Sequence, residues 1–453
     1  MAMAREIAPS GGVTRRSGGR RRWFAAALVV LVVVTLELSA WVGLEVLGRR
    51  HDIAFETVPV EDLHQRHRDE IERLLAGEQG ALVFDPELGW DLAPGATTDQ
   101  YRIDTFGVRT DVSFDVPRPP EVFRIALCGD SFSFGADVIT PFTLAETLMR
   151  LDPNLEVVNL GVPAYGPDQA WLRCRRMMPR YEPQLVLIGF IADNAGRVVN
   201  RFRPFYFFRS GLAMGKPRFV LRGSQLELLG NPLPTLDAYR ELLDRPREVL
   251  PRLGKDDFHF ETKPRPSSWD TSAAVRLVRL AKHRLMPKAP MWDGDVLNPD
   301  GEPLRISAAV LSGFAEEVEA AGLESLIALM PSRFDIGHRR DGDPTAYHHL
   351  PAMLEARGRR FVDLVDGFQE LAPEVPLRQL ARVHYTRRGN RIAALWLHRE
   401  LVRLDLIPPP PPEPQRSALI DNRRARLQGM PSVQALSVEE QQGLAAEVGE
   451  GWR

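Results

Sequence analysis

The chain has 453 residues, 44% hydrophobic and 26% charged, an ordinary globular mixture long enough for two or three domains or one large domain with insertions and tails. With 58 Lys and Arg against 60 Asp and Glu, the formal charge of -2 excludes the basic footprint of a nucleic-acid binder. No CxxC, HxxEH or clustered His/Cys spacing points to a metal, no cofactor motif is present, and the adjacent His348 and His349 would diverge on a helix.

Residues 1–22 carry six arginines and one acid, and are expected to form a basic cytoplasmic tail. Trp23 to Leu44 follow, 22 almost wholly apolar residues that would span about 33 Å as a helix at ~1.5 Å per residue. Trp23 and Trp41 lie near its ends, where aromatic rings favour the membrane interface. Glu37 is the one charge inside; a centred acid costs on the order of 3 kcal/mol. Fourteen uncharged residues precede it. Leu38 suits a cleavage site ending at Ala40 poorly, and Arg21-Arg22-Trp23-Phe24 matches a twin-arginine signal only loosely. The expectation is an uncleaved inner-membrane anchor over 23–44 with the rest of the chain outside the cytoplasm.

Residues 45–82 read as a charged stalk, and Val83 to Thr110 as short strands with tight turns. Apolar runs then alternate with helical patterns: Val122–Cys128, Leu155–Leu160, Leu185–Ile191, Leu326–Met330 and Arg360–Val365, with helices over Gln169–Met178, Ser307–Ala320 and Arg391–Leu404. That alternation predicts an α/β fold with a parallel sheet and covering helices. Between the third and fourth runs, about residues 201–300 form an insertion too long for a loop, either lid or subdomain, with a hairpin turning at Gly223-Ser224. Pro408–Pro412 open a polar tail, 406–453, expected to be disordered or loosely helical. Cys128 ends an apolar run and reads by default as a buried thiol, although a disulfide with Cys174 is permitted outside the cytoplasm.

Four stretches could carry chemistry. The first run ends in Gly129-Asp130-Ser131, which sets a hydroxyl at the carboxyl edge of the sheet, opening a helix whose N–H groups and dipole suit an oxyanion. The second ends in Asn159-Leu160-Gly161, where a glycine lets its backbone N–H approach the same point. After the third comes Asp193-Asn194; an amide there could be a further oxyanion donor, whereas an aspartate would repel the charge. Removing one such donor costs about a hundred- to a thousand-fold in rate. Val383-His384-Tyr385 precedes the last helix, and an imidazole there could take the serine proton and return it to a leaving group. Singly, these read as a capped turn, a turn glycine, a capping Asn and a structural histidine.

Together, in this order, they resemble the SGNH/GDSL hydrolase superfamily, whose blocks are Gly-Asp-Ser, a strand-end Gly, an Asn after the third strand and Asp-x-x-His before the last helix. The resemblance covers about residues 83–405, including the LGW…P…GVR text and NLGVPAYG; RVVNRFRPFY and KPRF look like one subgroup. It implies a flavodoxin-like three-layer sandwich and a serine mechanism on esters. Ser131 would be the nucleophile and His384 the base, with Ser131, Gly161 and Asn194 as oxyanion donors. The chain departs from the pattern at Ala381, where the family has its Asp, and in the Asp193-Asn194 register. Asp363 or Asp366, after the fifth run, are the candidate substitutes for orienting the histidine.

Three functions follow from this reading: hydrolysis of an ester-linked acyl group on a small molecule, a saccharide or an envelope polymer; transfer of that acyl group to a sugar hydroxyl; or a binding or assembly module that has lost its chemistry through Ala381.

Overall fold

A computed structural model describes residues 18–51, 53, 55–78, 80–286 and 290–452; residues 1–17, most of the expected basic tail, lie outside them. The chain divides into two compact units, one made of Met1–Thr57 with Pro264–Lys288, the other of Val58–Lys263 with Ala289–Arg453.

The larger unit is built on a five-stranded parallel sheet: β1 (Phe123–Cys128), β2 (Leu155–Asn159), β3 (Leu185–Phe190), β4 (Glu324–Leu329) and β5 (Phe361–Asp363). The spatial order is β2-β1-β3-β4-β5, the flavodoxin-like arrangement. The strands are continuous apolar runs because both faces are covered. Alternate residues sort between two cores. Ala126, Cys128, Val186, Ile188, Ile327 and Leu329 pack on helices Pro167–Tyr181 and Glu302–Ala320. Ile125, Leu127, Leu185, Leu187, Leu326 and Ala328 face helices Leu144–Leu151, Leu364–Leu371 and Arg387–Arg403. This is a three-layer sandwich. Strand order reverses between β1 and β3, and in such sheets the crevice beyond the carboxyl ends of those strands is where ligands bind.

Four expectations change, the last being the default reading of Cys128 as a free thiol. The fifth run is shorter than Arg360–Val365, because the Asp363 side chain accepts from the Val365 N–H and starts a helix there. The stretch 45–82 is not a free stalk throughout. Val58, Leu63 and Ile71 are buried with Phe202, Phe205, Tyr239, Leu242 and Leu250 of the insertion, giving that region a core of its own. Its hairpin, Arg218–Arg222 with Gln225–Leu229, turns through Gly223 at φ +64° and is anchored where Phe219 stacks on Trp171 at 4.7 Å. The tail after Pro408 is ordered. Helix Gln415–Gly429 buries Arg423, which donates to the Leu155 carbonyl at 2.6 Å, and Glu447 pairs with Arg150 at 3.1 Å. Cys128 and Cys174 are joined as a disulfide, tying the end of β1 to helix Pro167–Tyr181.

In the smaller unit, helix Gly18–His51 contains the apolar stretch, and Arg21–Arg50 is long and apolar enough to cross a membrane. Leu28 to Val34 are about half exposed, so nothing among the described residues covers them. Glu37 accepts hydrogen bonds from the Ser272 hydroxyl and from the Ala273 N–H, the latter at 2.7 Å, at the start of helix Ala273–Leu285.

Candidate active site

The carboxyl end of β1 runs through Gly129 into Asp130, whose side chain caps the next turn by accepting from the Phe132 N–H at 2.9 Å. Ser131 thereby opens a helix, but one of a single turn, Ser131–Phe134. The macrodipole expected of a longer helix is therefore slight, and local N–H groups are what this end offers. Ser131 itself is only 6% exposed, enough for its hydroxyl to face the rim.

His384 arrives from the opposite end of the sequence. Ala381 and Tyr385 bridge in antiparallel fashion and the Arg382 N–H donates to the His384 carbonyl at 2.9 Å, which makes a tight turn with the imidazole at its tip. The turn is seated by Thr386, which caps helix Arg387–Arg403, and by Gly389, where an added Cβ would lie 2.0 Å from the Leu380 carbonyl oxygen. The His384 Nε2 lies 2.8 Å from Ser131 Oγ, and its ring stands edge-on to Phe132 at 5.2 Å.

The carboxylate beside His384 is one that sequence reasoning missed. Asp137 Oδ1 lies 2.9 Å from His384 Nδ1, and its Oδ2 accepts from the His384 backbone N–H at 3.2 Å. Asp137 follows Ser131 by six residues, brought round by Gly135 in the left-handed region at φ +82°. Arg109, buried, clamps that turn by donating to the carbonyls of Phe134 at 2.8 Å, Gly135 at 2.7 Å and Val138 at 2.5 Å. Burial lowers the Arg109 pKa to about 10, against the smaller pull of Tyr101, Asp111 and Glu146, leaving it a cation at neutral pH.

Neither of the expected acids reaches the imidazole. Asp363 caps its helix and accepts from the Tyr347 hydroxyl at 2.9 Å; Asp366 pairs with Arg339 at 2.7 Å. Ala381 is fully buried in the apolar core, where an ionised side chain would be costly.

The three expected oxyanion donors differ in what their hydrogens do. Ser131, first in its helix, has no intrahelical acceptor for its N–H. The Gly161 N–H donates to Asn159 Oδ1 at 3.1 Å. Glycine is required there on other grounds: an added Cβ would sit 2.5 Å from the Phe134 nitrogen and 2.9 Å from the Asp130 oxygen. The Asn194 amide donates to Asp130 Oδ2 at 3.0 Å and to the Tyr165 carbonyl at 3.3 Å, so both its hydrogens are engaged and it braces Asp130. Arg197 joins it, donating to Asp130 Oδ2 at 2.8 Å. Burial opposes the Arg197 charge, but the Asp130 and Asp193 carboxylates outweigh it and raise its pKa. The sequence signal for Arg197 is its place one helical turn after Asp193.

A hydroxyl donating to an imidazole, itself held by a carboxylate, can lose its proton as the oxygen attacks an electrophile. With Asp137 ionised, the Nδ1 proton points at it and Nε2 is left to accept. Two clefts lie away from this site. One, among Phe123, Asn154, Gln184, Glu324 and Ile407, is at the opposite edge of the sheet; another lies along the hairpin at Arg218, Arg222 and Glu302. Neither includes Ser131. Among the described residues no group of three His, Cys, Asp or Glu side chains could hold a metal.

No protein-family model matches the chain, and no curated protein matches it. Among solved structures, a putative lipolytic protein of the G-D-S-L family from Desulfitobacterium hafniense DCB-2 is similar over 61% of this chain and 98% of its own, with 13% identity and a TM-score of 0.31.

Proposed function

We propose that this chain is a serine hydrolase of the SGNH/GDSL type that cleaves ester-linked acyl groups outside the cytoplasm, held at the membrane by the helix over Trp23–Leu44. The observation that carries the reading is the line of contacts from Ser131 Oγ through the His384 ring to Asp137, 2.8 Å and 2.9 Å long, both within the range of a working nucleophile and base. In the reaction the Ser131 oxygen bonds to the acyl carbon while its proton passes to His384 Nε2. The tetrahedral intermediate then expels the alcohol, which takes that proton from the imidazolium. Water, deprotonated by the same nitrogen, releases the acid from the acyl-enzyme. Asp137 stabilises the imidazolium through both steps.

The reading of the chain as an idle binding module rested on Ala381, and Asp137 supplies the carboxylate that Ala381 lacks. The purified full-length chain should hydrolyse p-nitrophenyl acetate and be labelled by a fluorophosphonate, with both signals lost in Ser131→Ala. Equal turnover by the wild type and that variant would refute the proposal.

A further inference from the structure

The acid inside the apolar stretch has a partner. Helix Gly18–His51 and helix Ala273–Leu285 run side by side in the same direction, since Glu37 meets Ser272 and Ala273 while Gly43 lies 3.9 Å, measured from an ideal Cβ, from the Leu277 side chain. Glu37 stands where an N-cap carboxylate would, accepting from the first N–H of the second helix, a position the helix dipole favours. Glu37 also lies seven residues, about 10 Å, inside the Leu44 end of the apolar stretch. If Trp23–Leu44 crosses a bilayer, the start of helix Ala273–Leu285 is at the same depth.

The second helix is composed for that depth. Its inner row, Ala273, Leu277 and Leu280, is buried or half-buried. A second row, Ala274, Val278, Ala281 and Leu285, follows the spacing of one helical stripe and has no charge. Val278 is 66% exposed and Leu285 81%. Trp269, 73% exposed, sits in the turn just before Ser272. Arg276 and Arg279 lie earlier on the helix, half-buried, with Arg279 paired to Asp270, while the cations Lys282 and Arg284 come late, beyond the depth of Glu37, and both are exposed. An apolar stripe at hydrocarbon depth with cations toward the headgroups is the layout of a helix bathed in one leaflet.

We propose that Pro264–Met286 is a second membrane-embedded element, docked on the anchor through Glu37, with Ala274 and Val278 in the acyl chains and the later part of the stripe, Ala281 and Leu285, level with Lys282 and Arg284 at the anionic headgroups of the same leaflet. The inference rests on reading Trp23–Leu44 as membrane-spanning. It accounts for an otherwise costly acid and makes helix Ala273–Leu285 an extension of the anchor.

The test uses the full-length chain reconstituted in vesicles of phosphatidylcholine and phosphatidylglycerol. Single cysteines replace Leu31, Trp269 or Val278 and carry a fluorophore, while Cys128 and Cys174 are unavailable to the label as a buried disulfide. Lipids with a doxyl group high or low on the acyl chain report contact by quenching. The proposal expects loss of emission at Leu31 and Trp269 with the deep probe and at Val278 with the shallow one. Quenching at Leu31 with full emission at both Trp269 and Val278 overturns the second element and leaves the anchor intact. Full emission at all three positions overturns the anchor as well.

Discussion

Asp137 holds His384 twice, through the ring and through the backbone N–H, so one carboxylate fixes both the tautomer and the turn that carries the imidazole. Asp137→Asn should therefore lower kcat by about ten-thousand-fold, the loss seen when the orienting aspartate of a serine-protease triad is replaced. Asp366→Asn, far from the ring, should leave steady-state turnover within a few-fold; an equal loss in both variants would remove Asp137 from its role. Asp363 matters for another reason. Burial raises its pKa to about 7, against hydrogen bonds from the Val365 N–H and Tyr347 that work the other way. Between about pH 4 and 7 the folded chain keeps a proton that the unfolded chain has lost, so this group makes stability fall as pH rises through that window. Asp363→Asn should flatten that part of the melting-temperature profile, and an unchanged slope would contradict the assignment. Ser131 and His384 were legible as candidates because each closes a recognisable stretch at a strand end or before a helix. Asp137 was not: in Gly135-Ala136-Asp137 it reads as one more turn residue, and only the left-handed Gly135 returns it to the serine's side.

At the level of elements, the Ser131–Val138 turn is a preformed unit. Arg109 donates three hydrogen bonds to carbonyls within it, those of Phe134, Gly135 and Val138, and Asn159 adds a fourth to Phe134 at 3.3 Å. Arg109→Met would orphan those carbonyls and loosen Asp137 without touching the reacting atoms. Displacements of about an ångström in such sites cost about a hundred-fold, so kcat should fall by that order while KM stays nearly constant. Lysine should fail to rescue it, since its single nitrogen lacks the spread of the two guanidinium nitrogens that reach Phe134 and Gly135 on one side and Val138 on the other. A wild-type kcat in Arg109→Met would show that the turn holds its shape unaided. The five strands were readable because burial on both faces writes them as apolar runs, and β1, β2 and β3 differ from expectation by a residue at their ends. The part played by Arg109 was hidden, because a buried guanidinium serving carbonyls carries no pattern along the chain.

Across the larger unit, the tail and the segment after the anchor help complete the fold. Leu427, Met430, Val433, Leu444 and Val448 form a small core with partly buried Val112 and Phe142, and the Gly449 N–H donates to the Arg150 carbonyl at 2.8 Å. Deleting residues 415–453 should expose that surface and strand Arg150, lowering the melting temperature by several degrees. An unchanged melting curve would mean that the tail is an ornament on a finished domain. Neither this tail nor the packing of Val58, Leu63 and Ile71 could be read beforehand. Both stretches are polar on average, and each is held by a few apolar contacts and by groups such as Arg423 whose acceptors lie hundreds of residues away.

Under the proposed function, a nucleophile and an orienting acid separated by five residues in one clamped loop would free the region before the histidine from supplying a carboxylate. That region can then evolve under packing constraints alone, as a buried Ala381 illustrates. If Asp137 has the role proposed for it, kindred chains sorted by the residue three before their histidine would be discarded as inactive while still carrying an orienting acid. Inspecting the sixth position beyond the serine would recover them.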